Sequence, residues 1–342
     1  MSFKRLDQED IVISADSITA PAWSDNQTTL TEFYTSSAQV SRNSGDYYYD
    51  TYQTGSGLTG AAIQFSLAYG HVAGSGSLPF NPAVSGAAPS QVVYKQFRNL
   101  VNGTEETNLG FAGTTVESVY AVSIERARFK EKLLPGSLLL TLSSSAGDIK
   151  LTDDSNYVTT VTYGDSGREF NLVSASSAGV RFTGNGTDGV YGYNTASGSF
   201  GKFLPDIGAI LLNGDALDLA PANGGITLGT AAGVGSNSAN ITKIYNAINN
   251  GGNFVLRSEE TVSSNYIFVR ARNSEFNYST NPSNITGSGE LRHSAMIDSP
   301  QAYVTSVGLY NDNNDLLGIA KLSRPLLKDF TKESLIRVKL DY

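Results

Sequence analysis

Apolar side chains recur at every second position in several stretches of this chain, and that spacing restricts the fold more than any other feature. Residues 62–69 carry large apolar groups at alternate positions: Ile63, Phe65, Leu67 and Tyr69. Because successive side chains of a strand point to opposite faces, this pattern predicts a strand with one buried face. Residues 334–342 alternate in the same way, which predicts a second such strand.

The composition also favours a mainly β fold. Glycine (35 residues), tyrosine (18) and phenylalanine (15) are abundant, and charged residues make up only 16% of the 342 positions. Aromatic and β-branched residues fit a pleated sheet, whereas Gly, Asn and Ser fit tight turns. We therefore expect many short strands joined by turns rather than long helices.

Two segments predict short helices instead. Residues 91–100 predict one helix, closed by Asn102 and Gly103. In residues 241–248 the apolar positions form a single stripe, and the Asn and Gly residues that follow end this second helix.

The clearest hairpin signal lies towards the C-terminus. Residues 303–310 predict a strand, residues 311–315 (Asn-Asp-Asn-Asn-Asp) a turn, and residues 316–322 the returning strand. Oxygen atoms of this turn could also bind Ca²⁺, but the mid-loop Gly and terminal Glu of an EF-hand are missing. A turn held by Asn and Asp side chains is the simpler interpretation.

Two similar segments guide the predicted domain organisation. Residues 124–128 and 268–272 share an apolar-x-Arg-Ala-Arg core, which we interpret as two equivalent strands framing the residues between them. The predicted fold is mainly β, with a β-sandwich-like frame and an inserted β-rich domain that contains one short helix. Its parts are an N-terminal arm at 1–30, the frame at 31–136 plus 259–342, and the insert at 137–258.

Charge and cysteine content argue against several classes of function. No cysteine is present and the two histidines, His71 and His293, are far apart in the sequence, so neither a metal site nor a cofactor is expected. The formal charge of −8 argues against nucleic-acid binding, which needs a basic face. No apolar run approaches the roughly 20 residues that cross a bilayer, and the first residues lack a signal-peptide pattern. We expect no nucleic-acid or membrane partner, and synthesis in a cytoplasm.

Two short motifs are similar to catalytic or nucleotide-binding loops. Residues 164–168 (Gly-Asp-Ser-Gly-Arg) match the nucleophile loop of trypsin-like proteases, and residues 184–189 satisfy Gly-x-Gly-x-x-Gly. The first lacks a histidine in a matching context to activate Ser166, and the second does not open a helix. Turns explain both, and we assign no catalytic residue and no enzymatic activity. A carboxylate pair for glycoside hydrolysis stays open, because such pairs meet only in space.

Aromatic and basic residues are the candidates for contact with protein partners. Trp23 could anchor the N-terminal arm to a neighbouring subunit or make a local core contact, since Trp supplies a large contact area at low entropy cost. Tyr47 and Tyr49 share one face of a tyrosine-rich strand. Arg126 and Arg128 lie in a run that mixes both signs of charge, which favours a surface facing solvent or a partner.

Several stretches resemble a known family. They are residues 124–136, residues 203–208 (Phe-Leu-Pro-Asp-Ile-Gly), residues 276–283 (Phe-Asn-Tyr-Ser-Thr-Asn-Pro-Ser) and residues 307–317 with the closing Lys-Leu-Ser-Arg-Pro-Leu. They are similar to virion structural proteins of contractile-tailed phages, particularly T-even-like myoviruses of marine cyanobacteria. The resemblance runs from residues 3–7 to the end of the chain. It implies presence in the particle, in the tail or baseplate, without catalytic activity.

The hypothesis that follows is a structural subunit of a tailed-phage virion, made in the host cytoplasm and placed in the tail baseplate. Its partners would be other tail and baseplate subunits and further copies of itself. The alternatives are a tail-fibre or adhesin component that binds host-surface carbohydrate, and a capsid decoration protein.

Overall fold

A computed structural model of the chain describes residues 4–35, 48–74, 90–103, 108–182, 191–230 and 237–341. The chain divides into two compact units. We call Ile18–Glu260 the central unit. Met1–Ser17 and Thr261–Tyr342 make up the terminal unit, which contains both ends of the chain.

The described residues contain twenty β-strands and four α-helices. The first half of the chain holds β1 (Ile11–Pro21), β2 (Thr29–Leu30), β3 (Tyr34–Thr35), β4 (Tyr49–Tyr52), β5 (Ile63–His71), α1 (Ser90–Asn102), β6 (Gly110–Phe111), β7 (Thr114–Thr115), β8 (Ser118–Ile124), β9 (Lys132–Leu133), β10 (Leu139–Ser143), β11 (Asp148–Asp153), β12 (Thr162–Gly164) and β13 (Gly167–Ser174). The second half holds β14 (Gly201–Leu204), β15 (Ala209–Asn213), α2 (Gly214–Asp218), α3 (Asn237–Gly251), β16 (Phe254–Val255), β17 (Arg257–Ala271), α4 (Ala295–Asp298), β18 (Ala302–Tyr310), β19 (Leu316–Lys328) and β20 (Ser334–Asp341).

Most strands of the central unit join one large antiparallel sheet. Its strand order is β2-β16-β10-β11-β13-β14-β15-β8-β5-β4-β3, with β12 paired to β13. β2 and β3 stand at opposite ends of this order, yet only residues 31–33 separate them along the chain. Since such a linker spans at most about 14 Å, the sheet must curl until its two edges approach each other.

Apolar side chains are buried on both faces of this sheet. Val122 of β8 and Ile210 of β15 belong to one buried cluster, whereas their sequence neighbours Ala121 and Leu211 belong to another. A strand covered on both sides needs apolar residues at consecutive positions rather than alternate ones. This requirement explains the uninterrupted apolar run at residues 209–212.

A helix completes each of the two clusters. Ile241, Ile244 and Ile248 of α3 fill the first, and α3 packs against β10 and β5, which are distant in the strand order. Tyr94 and Val101 of α1 belong to the second. The close approach of α1 to β5 requires glycine at position 70, because a Cβ there would lie 2.7 Å from the backbone nitrogen of Tyr94.

The terminal unit is built from long strands. β1, β17 and β20 form a sheet in that order. β17 and β20 pair antiparallel from Ser264↔Asp341 to Ala271↔Ser334. β18 and β19 form a separate two-stranded sheet, the hairpin whose turn is residues 311–315.

The mainly β class, both predicted helices, the hairpin and the final strand are confirmed. The predicted domain boundaries are not those of the structure: β15 of the predicted insert pairs with β8 of the predicted frame, so both belong to one sheet. The two Arg-Ala-Arg segments are not equivalent either. Residues 126–128 form a 3₁₀ turn, whereas residues 268–271 lie within β17. The physical reason is that long-range strand pairing, not a five-residue pattern, decides the backbone conformation.

Trp23 lies in the core of the central unit and not on its surface. Its ring packs edge-on against Phe254, with centroids 4.9 Å apart, and its Nε1 donates to the carbonyl oxygens of Phe254 (3.0 Å) and Thr28 (3.1 Å). Burial therefore removes Trp23 from the residues that can contact a partner. The predicted arm at 1–30 also supplies Ala22 and Leu30 to the same cluster, so it is not a detachable segment.

We predict that Trp23→Ala destabilises the central unit by about 3–5 kcal/mol, since it removes a large buried ring and leaves a cavity. Urea unfolding followed by circular dichroism would measure the loss. Tyr34→Ala is the control, because that side chain is 43% exposed. A loss of less than about 1 kcal/mol for Trp23→Ala would contradict the assignment of Trp23 to the core.

Candidate interaction surface

The terminal unit buries very few apolar side chains. Among its described residues the buried ones are Ile267, Ala271 and Val338, whereas every other buried apolar residue of the described chain belongs to the central unit. A domain of this size normally gains most of its stability from apolar burial. The sheet and hairpin of this unit therefore rest mainly on backbone hydrogen bonds.

Many large apolar side chains of the same unit are exposed. Among its described residues thirteen are exposed: Ile11, Val12, Ile13, Tyr278, Ile297, Tyr303, Tyr310, Leu316, Leu317, Ile319, Phe330, Leu335 and Leu340. Ile13 and Leu317 are each 70% exposed. Single exposed apolar residues are ordinary on protein surfaces, but an excess of them over buried ones is typical of a surface suited to binding another molecule.

The hairpin shows this excess most clearly. Its strands pair from Ala302↔Lys328 to Tyr310↔Leu316, with a register shift beside Val304, where Thr305 faces residues 322–325 of β19. No residue of the hairpin except Lys328 is classed as buried. Since a two-stranded hairpin is at best marginally stable in water, contacts beyond the hairpin must help to maintain it.

Polar contacts fix both ends of the hairpin. In the turn, Asn311 Oδ1 accepts from the backbone nitrogens of Asn313 (3.0 Å) and Asp315 (2.7 Å), and Asn311 Nδ2 donates to Asp315 Oδ2 (2.9 Å). These bonds support the turn interpretation over a Ca²⁺ loop. At the other end the buried Lys328 Nζ donates to Asn277 Oδ1 (2.8 Å) and to the carbonyl oxygen of Asn273 (3.1 Å).

One face of the β17–β20 pair is charged. The guanidinium of Arg337 lies 5.6 Å from the ring centroid of Tyr266, and Lys339 Nζ lies 5.7 Å from it. Lys339 also pairs with Asp341 at 3.0 Å, but both side chains are about half exposed. Ion pairs so exposed add little stability. They mark a polar face that lies beside exposed apolar residues such as Leu335.

The residues predicted to contact partners lie in other places. Tyr47 lies outside the described residues. Tyr49 is half-buried, and its hydroxyl shares a hydrogen bond of 2.8 Å with Thr242 of α3. Arg126 is exposed, but its guanidinium donates to the carbonyl oxygens of Phe129 and Lys130 and stacks 4.6 Å from the Phe129 ring.

Arg128 follows on the same 3₁₀ turn as Arg126 and is half-exposed. Its Nε is buried without a hydrogen-bond partner among the described residues. Trp23, Tyr49 and the arginine turn thus contact three different parts of the central unit. The sequence analysis did not predict the exposed residues of the terminal unit. Alternation shows to which face of a strand a side chain points, but it does not show whether other residues cover that face.

The protease-like motif is a hairpin turn. Ser166 is buried between β12 and β13, and its Oγ donates to Glu169 Oε1 at 3.3 Å. The neighbouring Arg168 pairs with Asp206, Nη2 to Oδ1, at 2.6 Å. The turn interpretation of residues 164–168 is confirmed. Residues 184–189 lie outside the described part of the chain.

Two buried carboxylates, those of Asp153 and Asp154, accept hydrogen bonds from backbone amides of other segments. Asp153 accepts from the nitrogen of Gly136 with both oxygens, at 2.9 Å each, and from the nitrogen of Ser155 at 3.2 Å. Asp154 accepts from the backbone and side-chain nitrogens of Asn171 at 2.9 and 3.0 Å. Burial raises the pKa of both carboxyls. With their oxygens turned to neighbouring amides, these groups hold two segments of chain together.

The described residues include no group of three or more His, Cys, Asp or Glu side chains arranged to hold a metal ion. None of the helices that the structure describes has the length and apolar character needed to cross a membrane.

Comparison with known proteins leaves the chain without an assigned relative. No protein-family model matches it, and no match was found among curated proteins or solved structures.

We predict that backbone amides of β18 and β19 exchange with solvent at least about a hundredfold faster than those of β8 and β15, because little apolar burial opposes local opening. Hydrogen–deuterium exchange by mass spectrometry on the dilute chain would measure both in one sample. Equal protection in the two regions would contradict the assignment of the hairpin to the weakly stabilised part of the molecule.

A second prediction concerns Asp153 and pH. Because burial raises the pKa of Asp153, the folded chain binds the proton of this carboxyl group more tightly than the unfolded chain does. The resulting stability is complete below the unfolded pKa of about 3.9 and is lost as pH rises through the higher folded pKa. Asp153→Asn should make the slope of stability against pH in that window less negative, by up to about 1.4 kcal/mol per pH unit.

Urea unfolding at a series of pH values would measure that slope. Asp148→Asn is the matched control, since Asp148 is an exposed residue on the same strand. An unchanged slope in Asp153→Asn would show that Asp153 does not retain its proton on folding.

Proposed function

We propose that this chain is a non-catalytic structural subunit of a tailed-phage virion, placed in the tail baseplate and held there by protein–protein contacts of its terminal unit. The observation that carries the proposal is the imbalance among the described residues of that unit, where three apolar side chains are buried and thirteen large ones are exposed. The phage placement is supported by the sequence resemblance, and the mode of action by the exposed surface.

The summed exposed apolar area of the terminal unit is large enough to include an interface of ordinary dimensions. Large side chains that are about half exposed leave roughly 100 Å² each in water, so thirteen leave on the order of 1,000 Å². A stable interface covers about 800 Å² on each partner. Assembly would therefore remove from water the apolar area that the terminal unit does not bury by itself.

The chemistry of the surface supports a protein partner. Aliphatic and aromatic side chains are mixed, and charged residues such as Arg337 and Lys339 lie near them, as at the core and rim of a protein interface. The proposal also agrees with the polar contacts that fix the hairpin turn and Lys328, because a preformed surface loses less entropy on binding.

Glycan binding is a second candidate function, and one feature of the central unit favours it. Tyr157, Phe182 and Tyr191 are exposed, and the guanidinium of Arg181 stacks 4.4 Å from the Tyr157 ring. Exposed rings with a cationic neighbour can stack on sugar rings and bind their hydroxyls. Specific binding of the isolated chain to a glycan array would favour this function over a purely structural one.

The proposed function predicts that Leu335→Ser lowers incorporation of the chain into particles by about tenfold or more, since burying one leucine contributes roughly 1.5–3 kcal/mol. The variant would be supplied in trans to a phage lacking the gene, and its copies in purified particles counted by quantitative mass spectrometry.

Leu58→Ser is the matched control, because Leu58 of the central unit is also 65% exposed. We expect it to enter particles as the unchanged chain does. Absence of the unchanged chain from purified particles would refute the virion assignment, and equal incorporation of both variants would refute the role of the terminal unit.

A further inference from the structure

One face of the hairpin is exposed along its length. Gly308 pairs with Ile319, and a Cβ on Gly308 would lie 2.9 Å from the Tyr310 ring and 3.5 Å from Leu316. Tyr310 and Leu316 therefore cover Gly308 on the same face as Ile319. Lys321 is two residues beyond Ile319 and joins that face, because side chains two apart in a strand point the same way. We call these five residues the hairpin face, and all of them are exposed.

Charges of opposite sign lie at the two ends of the hairpin face. Within residues 302–328 the acidic residues are Asp312 and Asp315, both in the turn. The basic residues are Lys321, Arg324 and the buried Lys328, all further along β19. Asp315 and Lys321 are six positions apart, which corresponds to about 20 Å along a strand. Leu316 and Ile319, two apolar residues of the hairpin face, lie between them.

This order of charges is complementary to itself. A two-fold rotation about an axis near Gly318 places the turn of one hairpin beside Lys321 of another, and it places the apolar centre against the same centre. Two copies of one surface related in this way form an isologous interface, the commonest arrangement in protein oligomers.

We propose that the hairpin face binds the same face of a second copy of this chain, with the two hairpins antiparallel. The inference deepens the proposed function and rests on it, since it names one partner of the terminal unit. Charge complementarity selects the second copy over an unrelated protein: each acidic turn meets the Lys321 side chain of the other copy. Paired charges of this kind set the register of an interface, while the apolar centre supplies the affinity.

Sedimentation equilibrium on the full chain tests the proposal. The unchanged chain should dimerise, and both Lys321→Glu and Asp312→Lys should raise the dissociation constant by about tenfold or more through like-charge repulsion. Ile319→Asp should leave the chain monomeric. Lys332→Glu is the matched control, since it makes the same change of charge on an exposed residue outside the hairpin and should have no effect.

A mixture of the two charge variants gives the decisive measurement. In a mixed dimer, Glu at position 321 of one copy meets Lys at position 312 of the other, and the second end keeps its original pair. An equimolar mixture of Lys321→Glu and Asp312→Lys should therefore dimerise about as tightly as the unchanged chain. A folding defect in either variant would not be rescued by mixing.

Three results would overturn the proposal: an unchanged chain that stays monomeric, a dimer unaffected by Ile319→Asp, or a mixture no tighter than the variants alone. These results are distinct from failure of the proposed function. A chain that is monomeric but enters particles would refute the hairpin pairing alone, whereas a dimer that is absent from particles would refute the virion assignment alone.

Discussion

Burial of apolar side chains on both faces of β8 and β15 is the interaction on which the central unit depends. Each fully buried aliphatic or aromatic side chain contributes roughly 1.5–3 kcal/mol, and these strands bury one at nearly every position. Two helices are needed because two faces must be covered, and α1 and α3 cover one each. Removing either helix would leave an apolar face of the sheet in water. Turn glycines and buried carboxylates such as Asp153 then fix the loops around a sheet that is already specified by this burial.

The terminal unit follows a different rule. Its strands satisfy one another's backbone hydrogen bonds, but a typical hydrogen bond adds only about 0.5–1.5 kcal/mol net of its exchange with water. Ordering each residue costs about as much in lost backbone freedom. Without apolar burial these terms nearly cancel, so this unit by itself has little net stability, and any molecule that bound its folded form would stabilise it. The two units therefore differ in what stabilises them. Apolar burial stabilises the central unit, whereas the terminal unit depends mainly on backbone hydrogen bonds and leaves large apolar side chains exposed.

Local patterns allowed the elements, but not their assembly, to be predicted. Alternating apolar residues predicted β5 and β20. A run of Asn and Asp predicted the hairpin turn, and an apolar stripe predicted α3. The pairing of β8 with β15 joins residues far apart in the sequence, so a boundary placed between them by composition divided a single sheet. Trp23 was open to two interpretations for a related reason: the ring of Phe254, which covers it, lies more than two hundred residues away. The exposed face of the hairpin had no sequence signal, because exposure depends on what is missing above a strand.

The register shift beside Val304 has a consequence for the edge of the hairpin. Pro325 lies within the shifted stretch and has no backbone N–H, so the outer edge of β19 is interrupted there. A strand that began to add along this edge would lose its hydrogen bonds after a few residues. This edge is therefore a poor template for edge-to-edge growth of the chain into fibres.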